Sequence, residues 1–163
     1  MKESRMIITV EGFSKKQALE IEEAAEFFAN QLMDPRMVRN LTIDIERNRK
    51  LDVMGEVTNE DDTTTSRWFT ITLRGAKDDE DVVKTLAHEM VHVKQYAKNE
   101  LSKQMRVTRG LGIRLATKWQ GEFWKPKSKE DPYWDAPWEI EAYGREVGLY
   151  HKWVQHWNSK KAA

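Results

Sequence analysis

The sequence predicts one α+β domain, a small and mostly antiparallel sheet packed with about three helices. Short runs near residues 6–10, 41–46 and 68–73 alternate apolar with polar side chains, the period of a half-buried strand. Three longer stretches, near 14–32, 78–101 and 135–157, space their apolar residues three and four apart, the period of a helix. No repeat, low-complexity tract or linker divides the 163 residues, so residues 1–163 are expected to share one core.

The elements follow in order. Met6, Ile8 and Val10 alternate with Ile7 and Thr9, a short strand entered from the charged start Met1-Lys2-Glu3-Ser4-Arg5. Ser14 followed by Gln17 reads as a capping box opening a helix to about Leu32. Ala18, Ile21, Ala25, Phe28 and Leu32 make its apolar face, and Glu20, Glu22, Glu23 and Glu26 its solvated one. Leu41, Ile43 and Ile45 alternate with Thr42, Asp44 and Glu46; residues 53–57 are expected to pair with this strand across a turn near Asn48. After a polar loop at 59–62, Phe69, Ile71 and Leu73 alternate with Trp68, Thr70 and Thr72 in another strand.

A helix should start near Asp78 or Asp79, because Asp78, Asp79, Glu80 and Asp81 crowd a first turn where carboxylates complement the macrodipole. It is expected to run to about Leu101. Residues 105–108 and 113–124, broken by Gly110, Gly112 and Gly121, read as a hairpin, and 125–132 as a polar loop. The last helix is expected to begin at Asp135-Ala136-Pro137, with Asp135 as cap and Pro137 in the first turn, and to end near Trp157.

Composition excludes several classes. Lys plus Arg equals Asp plus Glu at 27 each, so net charge argues for neither nucleic acid nor membrane as a partner. The absence of cysteine excludes disulfides and thiolate metal sites. No run approaches the roughly 18 apolar residues of a membrane span, and a cytoplasmic protein is expected. Six of the seven tryptophans lie between Trp119 and Trp157, a pattern read as core and clamp packing.

The chemistry is concentrated in His88-Glu89-Met90-Val91-His92. Histidines four apart on a helix project from one face, where two neutral nitrogens can share a zinc ion (Zn2+) at about 2.0–2.1 Å. Glu89 is placed to act as general base on a metal-activated water. Val82, Val83, Leu86, Met90, Val93, Ala97 and Leu101 form the core-facing side, so His88 and His92 are expected to face outward into a groove, with Glu89 at the border. A catalytic zinc takes a third protein ligand and keeps an open position. The metzincin pattern would need Gly at 95 and His at 98; Gln95 and Lys98 stand there. The other histidines are His151 and His156, and a carboxylate from a second helix is the next option.

Here the sequence resembles the gluzincin type of zinc peptidase, whose motif helix is followed by a helix bearing E-x-x-A. Glu139-Ile140-Glu141-Ala142 matches that pattern 47 positions beyond His92. The resemblance implies a minimal zincin-like domain with Zn2+ on His88, His92 and Glu139, Glu89 as catalytic base, and a protein or peptide as substrate. The run at 133–144 is also similar to small bacteriophage-encoded metallopeptidases, which implies the host cytoplasm. The N-terminal part of the chain carries no likeness. Many gluzincins have Asp directly after the Ala to orient a histidine ligand; this chain has Tyr143 there. Tyr143, Glu146 or a backbone carbonyl is left to do that work.

Periodicity separates the two glutamates independently. A wheel of residues 138–157 centres an apolar face on Tyr143, Val147, Tyr150, Val154 and Trp157, with Glu139 and Glu146 in it. Glu141 falls opposite, beside Arg145, Gly148 and Lys152, where a solvated pair with Arg145 suffices. Glu139 is thus favoured over Glu141, with Glu146 a supporting partner or third choice. Tyr143, Tyr150, His151 and Arg145 are near enough in sequence to supply an oxyanion donor. The strand at 68–73 could offer its edge to substrate backbone.

Two other functions remain open on sequence. One is a non-enzymatic binding or regulatory protein that keeps the zinc site. The other is a nucleic-acid-binding module using the basic segment 103–129, where Arg106, Arg109, Arg114, Lys118, Lys125 and Lys127 are interleaved with Trp119, Phe123 and Trp124.

Overall fold

A computed structural model describes residues 5–75, 78–110, 112–127 and 130–163. Its described residues form an α+β arrangement of four helices and two small sheets. The order is β1 (Ile7–Glu11), α1 (Lys15–Leu32), α2 (Pro35–Arg39), β2 (Thr42–Arg47), β3 (Gly55–Asn59), β4 (Trp68–Leu73) and α3 (Asp79–Ala97), then β5 (Leu101–Thr108), β6 (Gly112–Trp119), β7 (Glu122–Phe123), a 3-10 turn (Pro132–Asp135) and α4 (Pro137–Ala162). Residues 1–4 and Lys129 lie outside the described residues.

The main sheet has the order β1-β2-β4-β3. β1 and β2 pair in parallel, as do β2 and β4, while β3 runs antiparallel to β4 with Val57 opposite Ile71. Three of the five ladders among the described residues are therefore antiparallel, and the main sheet itself is mixed. The expected pairing of residues 53–57 with β2 does not occur, since β4 inserts between them. Phe69, Ile71 and Leu73 are all buried, whereas β3 alternates half-buried with exposed positions. The more apolar strand takes the centre and the other takes the edge. Parallel β1–β2 pairing needs a long crossover, and α1 supplies it.

Helix α1 is capped by Ser14, whose Oγ accepts the Gln17 N–H at 3.2 Å. The Gln17 amide does not return to the cap backbone as a capping box would have it; it donates to Asp79 at 2.8 Å and ties α1 to the first turn of α3. Ile21, Ala24, Ala25, Phe28 and Ala29 are buried, and the alanines give α1 a slim face toward the core. Asp34 caps the short α2, which the sequence reading passes over.

Helix α3 begins where the acidic turn predicts, with Asp78 Oδ1 accepting the Asp81 N–H at 2.8 Å. It stops at Ala97, four residues before the expected Leu101. Asn99 takes a left-handed φ of 56°, its N–H reaches Tyr96 O, and Glu100 N–H reaches Gln95 O. This paired closure satisfies two orphan carbonyls and turns the chain into β5.

Helix α4 departs from expectation at both ends. Its cap is Ala136, with no side-chain hydrogen bond, because Asp135 is taken up in the 3-10 turn. It runs on past Trp157 to Ala162, and Lys160 pairs with Glu23 of α1 at 2.7 Å. The buried stripe is also rotated from the expected one. Ala142, Leu149 and Trp153 are buried, whereas Tyr143 and Val147 are exposed. Together with Glu139 and Glu146 they keep a three-four spacing, so one face of α4 carries 139, 142, 146, 149 and 153. Trp153 packs on Phe27, Phe28 and Trp157, while Trp138 packs on Trp119 and Trp124 at the base of the hairpin. Five of the seven tryptophans thus form two clamps at the two ends of α4, while Trp68 and Trp134 are exposed, Trp134 packing on Tyr133 and Tyr143. No helix among the described residues is long and apolar enough to cross a membrane.

Candidate metal centre

Helix α4 packs on α3 with Ala142 fully buried, and its Glu139 and Glu146 reach over the motif face to His88. His88, Glu89 and His92 are 8%, 5% and 8% exposed. The expected groove is present and His88 and His92 line it, but they are largely buried in its wall, between α3 and α4. A wheel takes the polar side of a helix for its wet side, and this side is polar and buried at once.

The structure brings Glu139 to both rings. His88 Nε2 lies 3.2 Å from Glu139 Oε2, His92 Nε2 lies 3.4 Å from Glu139 Oε1, and the two Nε2 atoms are 3.2 Å apart. On the far side of each ring, His88 Nδ1 donates to Glu146 Oε2 at 2.8 Å, and His92 Nδ1 donates to Gln95 Oε1 at 2.8 Å. A carboxylate and an amide oxygen only accept, so both neutral rings carry their proton on Nδ1 and turn a lone pair inward. Two lone pairs and a carboxylate then face one another across about 3.3 Å, an arrangement that a bound cation or a proton on one of the rings relieves. That spacing matches the edge of a tetrahedron with bonds of about 2.0–2.1 Å, so the residues fit zinc in donor type and in separation.

Glu141 points elsewhere. Its carboxylate takes Lys94 Nζ at 2.8 Å, Gln95 Nε2 at 2.9 Å and Arg145 Nε at 3.2 Å. The expected pair with Arg145 is present, but Glu141 is half-buried in an α3–α4 clamp that also includes Glu100, 2.7 Å from Lys94.

Burial pushes the Glu89 carboxyl up to about 7, against the downward pull of His92 and His88. Burial also acts upward on Glu139, but His88 and His92, when their rings are protonated and donate from Nε2, outweigh it and hold that carboxyl at about 2. Two carboxylates in one site are thereby set apart, one a charged partner of the histidines and one poised to exchange a proton near neutrality.

These groups form one wall of an open cleft of about 880 Å³. The opposite wall is β3, whose Gly55 comes so close that a Cβ there would stand 2.9 Å from Glu89 Oε1 and 2.9 Å from Thr85 Cγ2. Of the four oxyanion candidates only Tyr143 reaches the cleft; Arg145 is engaged by Glu141, and Tyr150 lies under Lys84. Tyr133, not among the residues expected from sequence, donates its hydroxyl to Glu139 Oε2 at 3.1 Å and meets the Tyr143 hydroxyl at 3.1 Å. Nor are Gly55 and the role of Gln95 among them. A glycine facing a motif helix, and a glutamine three residues after its second histidine, were the signals present. His151 is exposed and His156 packs on Phe27 at 4.8 Å, so neither joins the centre.

The strand Trp68–Leu73 is paired on both sides and cannot offer an edge; the free edge beside the cleft belongs to β3. In the basic segment, Arg106, Arg114 and Lys118 share one face of the β5–β6 ladder, and the Phe123 ring is already covered by Arg106 at 4.5 Å and Lys118 at 4.9 Å. Comparison with protein-family models, curated proteins and solved structures finds no match to this chain.

Proposed function

We propose that the chain is a zinc-dependent peptidase of the gluzincin type, with the ion on His88, His92 and Glu139 and with Glu89 as general base. What carries this reading is the convergence of two inward-facing Nε2 atoms and the Glu139 carboxylate within 3.4 Å of one another. The cleft beside them supports an enzyme over a purely structural site, because a closed metal site has no use for an adjoining cavity.

The chemistry that zinc supplies in such a site is Lewis acidity, which polarises a carbonyl and makes a water acidic enough to lose its proton near neutral pH. The chain does the rest. Glu89, on the cleft wall beside Gly55, takes a proton from the attacking water on its carboxylate and returns it to the departing amine. The unpaired edge of β3 offers backbone donors and acceptors to an extended peptide without reading its sequence. Tyr133 and Tyr143 present phenol hydroxyls to the same space, where a carbonyl oxygen gaining charge needs a donor. The substrate is accordingly an extended stretch of protein or peptide, and the expected setting is the cytoplasm.

The test is hydrolysis of an unstructured protein such as casein. Turnover that stops on chelation, returns with zinc and falls by about 10²–10⁴ in Glu89→Gln supports the proposal. Undiminished turnover in Glu89→Gln contradicts it, and no turnover by zinc-loaded protein favours the binding-protein alternative.

A further inference from the structure

Gln95 is completely buried and every polar atom of its amide is committed. Oε1 faces His92 Nδ1 at 2.8 Å, while Nε2 donates to Trp138 O at 2.9 Å and to Glu141 Oε1 at 2.9 Å. A carbonyl and a carboxylate cannot donate, so the amide cannot be turned over without setting oxygen against oxygen. Oε1 is thereby fixed as the acceptor toward His92, and the ring proton is fixed on Nδ1. Glu141 is itself anchored by Lys94, so the partner that orients Gln95 does not swing away.

The positions that Gln95 holds on α4 are telling. Trp138 and Glu141 bracket Glu139 in the chain, so one side chain grips a histidine on α3 and both flanks of the carboxylate on α4. We propose that Gln95 is the positioning residue of the centre, holding His92 in the tautomer that turns Nε2 inward and seating α4 so that Glu139 meets both rings. The role rests on the zinc reading only in its consequence for metal affinity; the tautomer is a property of the metal-free chain.

Two variants separate its two jobs. Gln95→Leu removes the acceptor and the donors together. Gln95→Glu keeps an acceptor for His92 and loses the donors to Trp138 and Glu141. The measurements, on the full chain, are nitrogen NMR of the imidazoles in metal-free protein above neutral pH and zinc affinity by competition with a chromophoric chelator. In wild type, His92 is expected as the Nδ1–H tautomer. In Gln95→Leu that preference is expected to vanish and zinc to bind about 10–100-fold more weakly. In Gln95→Glu the tautomer is expected to persist while zinc binding still weakens, because α4 has lost its ties. A Gln95→Leu protein that keeps the Nδ1–H form, or binds zinc as tightly as wild type, overturns the proposal; lowered thermal stability with both readouts unchanged marks a packing residue and overturns it equally. If Gln95→Leu does not fold, wild-type zinc affinity in Gln95→Glu is the overturning result. Wild-type protein that binds no zinc defeats the peptidase reading, and the tautomer comparison then decides Gln95 alone.

Discussion

The carboxylate of Glu146 accepts the Nδ1 proton of His88 at 2.8 Å, from a position seven residues beyond Glu139 on the same face of α4. Two turns of one helix thus supply both a carboxylate to the inward side of the His88 ring and a carboxylate to its outward side. Tyr143, standing where many gluzincins have Asp, is not the hydrogen-bond partner of that ring. It packs its own ring against His88 at 4.5 Å and directs its hydroxyl to Tyr133.

Removing Glu146 should therefore loosen the metal, while trimming Tyr143 should not. Glu146→Ala is expected to weaken zinc binding by about 10–100-fold, and Tyr143→Phe to leave it near wild type. A chelator competition titration compares the two directly. The opposite order would give the orienting role to Tyr143.

Gly55 offers a way to disturb the base without touching the ligands. A methyl group at this position would meet Glu89 Oε1 and Thr85 Cγ2 at 2.9 Å, well inside contact distance. Gly55→Ala is expected to displace the Glu89 carboxylate and lower kcat on casein by about tenfold or more, with zinc stoichiometry unchanged. Steady-state kinetics beside metal analysis reads this, and full activity would show that the base need not sit where β3 holds it.

Lys94 of α3 is 5% exposed and bridges Glu100, in the turn after α3, to Glu141 of α4. Lys94→Met leaves Glu100 without its cation and Glu141 with Arg145 alone. The expected loss is roughly 3 kcal/mol, or a fall of about 6–12 °C in Tm for a chain of this size. Differential scanning calorimetry of metal-free protein checks it. An unchanged Tm would mean that Arg145 alone suffices for Glu141.

Tyr133 and Tyr143 can be ranked by the same approach. Tyr133→Phe removes the hydroxyl that touches Glu139 and is expected to lower kcat by about 10²-fold while zinc stays bound. Loss of zinc in place of loss of turnover would make Tyr133 a support for Glu139.

Much of this centre is legible in the sequence because helical spacing is local. His88 and His92 share a face through a four-residue interval, and Glu139 separates from Glu141 because the two lie on opposite sides of one helix. What sequence could not supply was the partner of each face. The alternation in residues 53–57 suits a strand, but only the relative burial of β3 and β4 decides that β4 is central. The polar face of α3 reads as facing a groove, but that α4 forms a wall of that groove and buries the histidines in it is not legible in the sequence. The rotated buried stripe of α4 has the same origin: Tyr143 and Val147 are apolar enough for a core, yet Ala142, Leu149 and Trp153 are the residues that meet α3 and α1. The spacing of Gln95 from His92 is visible in the sequence, but its partners on α4, Trp138 and Glu141, are not.

The zinc content of untagged protein tests the centre most directly, with wild type compared with Glu139→Gln and Glu141→Gln. About one zinc per chain is expected in wild type, lost in Glu139→Gln and retained in Glu141→Gln, whose amide can still accept from Lys94 and Gln95. No zinc in wild type after reconstitution, or equal zinc in all three proteins, would contradict a centre built on His88, His92 and Glu139.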